Sequence, residues 1–206
     1  MAGRQTMWKP EGRCGLLAVD VVGFGRPHTN MQVQIYLRDR LYEFIVGALR
    51  RSGVEFSRCY SEDRGDGLVA AIPPEIPTDR MIHPFADYLR AALRLHNQVS
   101  NEVGLLRLRV SVHSGEAWTD THGLVGDSVI DLFRLLDAPA FKQVVDHTGA
   151  YLALITSDGI YDQVIRHAPG LIDPDDYAHL AIENKNFSGA GWIRLVGRDP
   201  SVGRSA

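Results

Sequence analysis

The stretch CGLLAVDVVGFG, residues 14–25, decides how the rest of the chain is read. It is a short apolar run broken by one acid, which predicts a buried central strand over residues 14–22. Asp20 sits inside that run. A lone carboxylate buried there costs several kcal/mol or shifts its pKa. Either Asp20 ends the strand and caps the turn that follows, or it is placed for chemistry. The turn is Gly23-Phe24-Gly25, whose backbone N–H groups suit phosphate oxygens, especially where the chain enters a helix.

Working outward, a helix is predicted from about Asn30 to Arg51. Val33, Leu37, Leu41, Ile45 and Ala48 form a stripe, with Thr29 or Asn30 as cap and Gly53 as stop. Residues 54–72 read as two β-rich stretches around Asp63-Arg64-Gly65-Asp66-Gly67, a hairpin. Pro73, Pro74 and Pro77 exclude regular structure next. A second amphipathic helix is predicted over 84–102, with Tyr88, Ala92, Leu95 and Val99 as its packed face. Residues 106–113 alternate as a strand, and residues 126–146 are helical with a break at Pro139. A strand over 151–156, a short helix over 158–167 and a hairpin over 177–195 follow. The order β-α-β-β-α-β gives an α+β sandwich with a ferredoxin-like pattern and a C-terminal α/β extension. It forms one domain over residues 13–197, with residues 1–12 and 198–206 expected as flexible ends.

Composition narrows the function. The chain has 206 residues, with 22 basic against 25 acidic side chains and a net charge of −3. No basic run interleaved with aromatics occurs, so nucleic acid is not an expected partner. No apolar run approaches ~18 residues, so no membrane span is expected. Two cysteines, Cys14 and Cys59, make neither a disulfide framework nor a zinc spacing, which fits the cytoplasm. None of the eight histidines stands in an i, i+4 pair, and none is assigned to a metal.

Asp66, between two glycines in the hairpin, supplies a second acid, although a GDG turn by itself is common. Neighbouring strands are ~4.8 Å apart. If the first strand pairs beside the hairpin, the carboxylates of Asp20 and Asp66 converge. Converging acids repel unless a cation lies between them, and oxygen ligands favour magnesium or manganese. A metal beside a phosphate-binding turn points to a nucleoside triphosphate.

These residues resemble the catalytic domain of class III nucleotidyl cyclases, the adenylyl and guanylyl cyclases. The resemblance is carried by Asp20-Val21-Val22-Gly23-Phe24, by Gly65-Asp66-Gly67, by Arg109 through Glu116 (RVSVHSGE), and by Gly126-Asp127-Ser128-Val129 followed by Arg134. The run FRLLDAP, residues 133–139, is similar to small stand-alone actinobacterial members. The resemblance implies a head-to-tail homodimer with sites at the interface. Asp20, Asp66 and the Val21 carbonyl would hold two Mg2+ or Mn2+ ions, and Gly23, Phe24 and Gly25 would lie on the substrate phosphates. Arg134 would come from the partner chain to the leaving pyrophosphate, and Lys185 would contact the triphosphate.

The chain departs from the family at three places. Relatives usually carry an asparagine one turn before Arg134 to position the ribose. Here the residue is Ile130, which cannot hydrogen-bond. Gly25 replaces a usual threonine. Glu62 replaces the lysine of typical adenylyl cyclases at the base, which favours GTP or a pyrimidine triphosphate over ATP. The expected function is therefore formation of a 3′,5′-cyclic nucleotide. The alternative is an impaired cyclase-homology domain that binds nucleotide or dimerises. A polymerase-like palm shares the two acids but lacks a GGDEF-type turn.

Overall fold

The computed structural model describes residues 8–25, 30–184 and 187–198. The predicted first strand is β1, Glu11–Val21. It starts two residues inside the segment read as a loose end, because Glu11 and Gly12 pair with Trp118 and Ala117 of a neighbouring strand. The long helix α1 spans Met31–Arg51, and the Asn30 side chain accepts from Val33 N–H to cap it. Leu37, Leu41, Ile45 and Ala48 are buried as the stripe requires.

The hairpin is β2, Tyr60–Asp63, and β3, Gly67–Ile72. The β-rich stretch expected from residue 54 is shorter, because residues 56–58 coil into a 3-10 turn. Helix α2 is Phe85–Val99. Its packed face differs from the expectation: Phe85, Leu89, Leu93 and His96 are buried, while Tyr88, Leu95 and Val99 face out. The two stripes have the same helical spacing, and the one that meets the sheet is the one buried.

Strand β4, Leu108–Thr119, runs six residues past the expected end. Its extension pairs with residues 11–15 of β1, and its last two residues pair with the short strand β5, Leu124–Val125. The helical stretch after it divides into α3, Asp127–Leu136, and α4, Pro139–Thr148, with Pro139 opening the second helix. Strand β6, Ala150–Ser157, then leads into α5, Asp158–Gln163. The chain closes with β7, Ala178–Asn184, and β8, Phe187–Arg198.

The strands form one sheet in the order β2-β3-β1-β4-β6-β8-β7, with β5 added beside β4. The β2-β3-β1-β4 half is the ferredoxin-like arrangement, antiparallel throughout, and β4 to β6 is a parallel pair. One face packs Leu17, Val19, Val110 and Val112 against α1 and α2. The other packs Leu16, Ala18, Val69 and Ile155 against α3 and α4. Asp20 alternates with Leu16 and Ala18, so strand geometry puts it on the α3 face. No helix among the described residues is long and apolar enough to cross a membrane. Both cysteines are buried and free, and burial pushes their thiols up to about 11 for Cys14 and about 12 for Cys59.

Candidate functional site

Register builds the site. Asp20 stands opposite Gly67 on β3 and opposite Arg109 on β4. Gly67 lies so close to β1 that a Cβ there would be 2.0 Å from the Val19 carbonyl oxygen and 3.0 Å from the Asp20 Cα. Only glycine allows that approach. The turn carrying Asp66 is tied to the same strand end, since Val21 N–H donates to the Asp66 carbonyl at 2.9 Å. The backbone thus brings Asp20, Val21 and the Asp66 turn to one strand end.

Arg109 holds the Asp20 carboxylate from the next strand. Its Nε donates to Oδ1 at 2.9 Å and its Nη2 to Oδ2 at 2.6 Å. Burial is the largest influence on Asp20 and pushes its carboxyl above the usual range. Arg109 opposes this, while the charges of Asp66 and Asp137 add to it. Asp137 caps the C-terminal end of α3 and pairs with Lys142 at 2.7 Å. Three acids thus share one electrostatic neighbourhood, crossed by a single arginine fork.

The Asp66 turn is shaped from α1. Asp63 accepts Gly65 N–H at 2.8 Å, the Tyr42 hydroxyl at 2.8 Å, and the Arg38 guanidinium. Gly65 has φ of +84°, which the turn needs and glycine supplies without strain. The Tyr42 hydrogen bond leads the effects that lower the Asp63 carboxyl, with Gly65 and Arg38 adding to it. Burial and Asp63 push the Tyr42 phenol up to about 12.

Glu62 lies on β2, and its carboxylate is turned onto the turn before β5. It accepts from Tyr60 at 2.9 Å, from Arg64 at 2.7 Å and from Leu124 N–H. A Cβ on Gly123 would sit 2.4 Å from its Oε1. Arg64 also lies over the Phe133 ring at 5.2 Å. Glu62 and Gly123 are therefore in contact.

Helix α3 starts over β4, where Gly115 leaves room for Ser128, whose Oγ would be 2.1 Å from a Cβ. Ser111 donates to the Leu132 carbonyl at 2.8 Å and fixes the helix further along. Val129 and Leu132 face the core, leaving Ile130 50% exposed on the outer face. Arg134 donates to Asp131 at 2.9 Å. The glycine turn follows β1 directly: Gly23 has φ of +73°, Phe24 packs on the α1 side of the core, and a Cβ on Gly25 would meet nothing within 4 Å. Lys185 lies outside the described residues.

Sequence reasoning missed the roles of Arg109, Asp63, Arg38 and Tyr42. Arg109 had a signal: an arginine in an alternating strand, on the face of a core, requires an acid beside it.

No family profile and no curated protein sequence matches the chain. Solved structures do match. The guanylyl cyclase Cya2 superimposes with a TM-score of 0.61 over 94% of this chain and 96% of its own, at 17% identity. The guanylate cyclase domain of RhGC from Catenaria anguillulae, in complex with GTP, gives 0.56 over 92% and 98%, at 14% identity. A dimeric guanylyl cyclase domain of the RhoGC fusion protein from Blastocladiella emersonii gives 0.57 over 93% and 99%, also at 14%. These neighbours are class III cyclase catalytic domains, and this chain shares their fold along nearly its whole length.

Proposed function

We propose that the chain is a nucleotide cyclase, converting a nucleoside triphosphate into a 3′,5′-cyclic nucleotide and pyrophosphate. One observation carries the reading: the Asp66 turn is bonded to the strand end that bears Asp20, within a fold shared with cyclase domains.

The donors there fit a hard divalent cation, Mg2+ or Mn2+, in the two-ion arrangement of relatives. Asp20, Asp66 and the Val21 carbonyl offer oxygen alone, without sulfur or imidazole. Asp20 has about four lone-pair sites on its two oxygens, and Arg109 takes two of them. Excess negative charge from Asp66 and Asp137 around Asp20 is what such an ion relieves. Among the described residues no cluster of three or more His, Cys, Asp or Glu side chains forms a metal cage, so phosphate oxygens would complete the coordination. Bound there, the cation supplies Lewis-acid stabilisation of the triphosphate and acidifies the ribose 3′-hydroxyl.

The chain's own groups do the positioning. Backbone N–H groups of residues 23–25 bind phosphate, and the bare Gly25 leaves the approach open. Arg134, brought by a second chain in a head-to-tail homodimer, stabilises charge on the departing pyrophosphate. By analogy with arginine fingers its loss costs on the order of 10³-fold. Tyr60, Arg64 and the Leu124 N–H take three of the about four lone-pair sites of Glu62, and the remaining one is the acceptor it offers the base, which favours the donor edge of guanine, or a pyrimidine, over adenine.

A second reading, a domain that binds nucleotide without turning it over, is favoured by Ile130. An exposed isoleucine stands where relatives position the ribose by a hydrogen bond. The two readings separate in one experiment. Purified protein is incubated with ATP, GTP, UTP and CTP plus Mn2+, and products are identified by mass spectrometry alongside thermal shifts. A cyclic product supports the cyclase. A triphosphate-dependent shift with no product from any of the four overturns it in favour of the binding domain. Neither shift nor product overturns both.

A further inference from the structure

The apolar stripe that sequence reasoning placed in the core of α2 is on the surface, and it faces α1. Tyr88 is 36% exposed, Leu95 61% and Val99 87%. Across from them on α1 stands Tyr36, 46% exposed. Two cavities of about 440 and 450 Å3 adjoin at Tyr36 along this seam, one between α1 and α2 and the other between α1 and the loop after α2, and together they make up the trough. Its floor is aromatic. The His96 ring lies 6.0 Å from Tyr36 and 5.4 Å from Phe44, and its Nε2 is fixed 2.8 Å from the Gly104 carbonyl oxygen.

The rim is basic although the chain as a whole carries −3. Arg40, Arg50 and Arg51 line the trough with a single acid, Glu43, which Arg40 already pairs. Arg40 lies over the Tyr36 ring and Arg51 over the Tyr88 ring, each 5.7 Å from the centroid, so two of the guanidinium groups are held at the edge of the apolar floor.

We infer that this trough is a docking site for an acidic amphipathic helix of a protein partner. The chemistry is specific on two counts. Spaced apolar side chains on a helix, at i, i+4 and i+7, match the spacing of Tyr88, Ala92, Leu95 and Val99. Carboxylates flanking them would meet the arginines, which fork onto carboxylates well. A second copy of this chain is a poorer occupant, because a two-fold contact through the same surface would set arginines against arginines. The core cluster beneath the trough and the cluster on the Asp20 side lie on opposite faces of the sheet. The inference stands whether or not the chain is a cyclase.

Fluorescence anisotropy with two labelled synthetic helices tests it. Both carry leucines at i, i+4 and i+7; one is flanked by glutamates, the other by lysines. The acidic helix is expected to bind the full chain at micromolar concentration, and the lysine helix at least about tenfold more weakly. Leu95→Asp and, separately, the pair Arg50→Glu and Arg51→Glu should each weaken the acidic helix about tenfold or more. Both variants alter exposed side chains, and circular dichroism melts confirm that they fold. Failure of the acidic helix to bind, equal binding of both helices, or binding unchanged in both variants overturns the inference. So does sedimentation that shows self-association abolished by Leu95→Asp, which would make a second copy the occupant.

Discussion

Arg109 on β4 grips both carboxylate oxygens of Asp20 on β1, at 2.9 and 2.6 Å, with both side chains 14% exposed. A buried pair of this kind is costly to break from one side, because the remaining charge is left without a partner.

Arg109→Ala is therefore expected to destabilise the chain by about 3–5 kcal/mol at pH 7. Burial, Asp66 and Asp137 all push the Asp20 carboxyl up, and Arg109 opposes them. Asp20 is raised in the folded state even with Arg109 present. Its contribution to stability is thus full below the usual carboxylate range and is lost as pH rises through the folded pKa. Removing Arg109 raises that pKa further. The stability gap between variant and wild type should narrow as pH falls from neutral toward the carboxylate range, measured by urea denaturation across that span. A gap that stays constant would show that Asp20 is not the group left exposed.

Asp63 behaves in the opposite sense. Its hydrogen bonds from Tyr42, Gly65 and Arg38 lower its carboxyl, so the stability it adds is present above the usual carboxylate pKa and lost as pH falls through the lowered one. Asp63→Asn should cost about 1 kcal/mol at neutral pH, since the pair is largely exposed, and nothing at strongly acid pH. Hydrogen exchange should report faster opening at Gly65, whose N–H the Asp63 carboxylate accepts. Unchanged exchange there would show that the Asp63 carboxylate does not hold the Asp66 turn.

Two glycines near the site separate packing from access. Gly67→Ala would place a Cβ 2.0 Å from the Val19 carbonyl oxygen, and is expected to cost about 3 kcal/mol or more. Gly25→Ala meets nothing within 4 Å, and its stability should stay within about 0.5 kcal/mol of wild type. Thermal melts of the two variants side by side check the contrast; equal losses would contradict the β1–β3 approach.

Much of this architecture is legible in the residues. An apolar run with its stop signals identified β1, and a single i, i+4 stripe with a capping Asn30 identified α1. Helix α2 misled because it carries two apolar stripes of equal period, and only the sheet beneath decides which is buried. Strand β4 ran long because its last residues find partners in residues 11–15, a pairing invisible to local pattern. The acids announced themselves, Asp20 by its apolar neighbours and Asp66 by its flanking glycines. Arg109 did not, since its relation to Asp20 depends on strand register, and the Asp63 anchor depends on how α1 crosses the hairpin. Glu62 was read for what an acid could offer a base. The three donors it already serves come from its own strand, its own turn and the first residue of β5.

The two acids under a nucleotide's phosphates are the centre of the account, and electron paramagnetic resonance of bound Mn2+ probes them most directly. With a non-hydrolysable triphosphate present, wild-type protein should deplete the free-ion signal as a saturable function of protein. Asp66→Ala, at an exposed position, should keep the fold and lose most of that binding. Mn2+ binding that is absent from wild type, or equally strong in Asp66→Ala, would contradict the assignment.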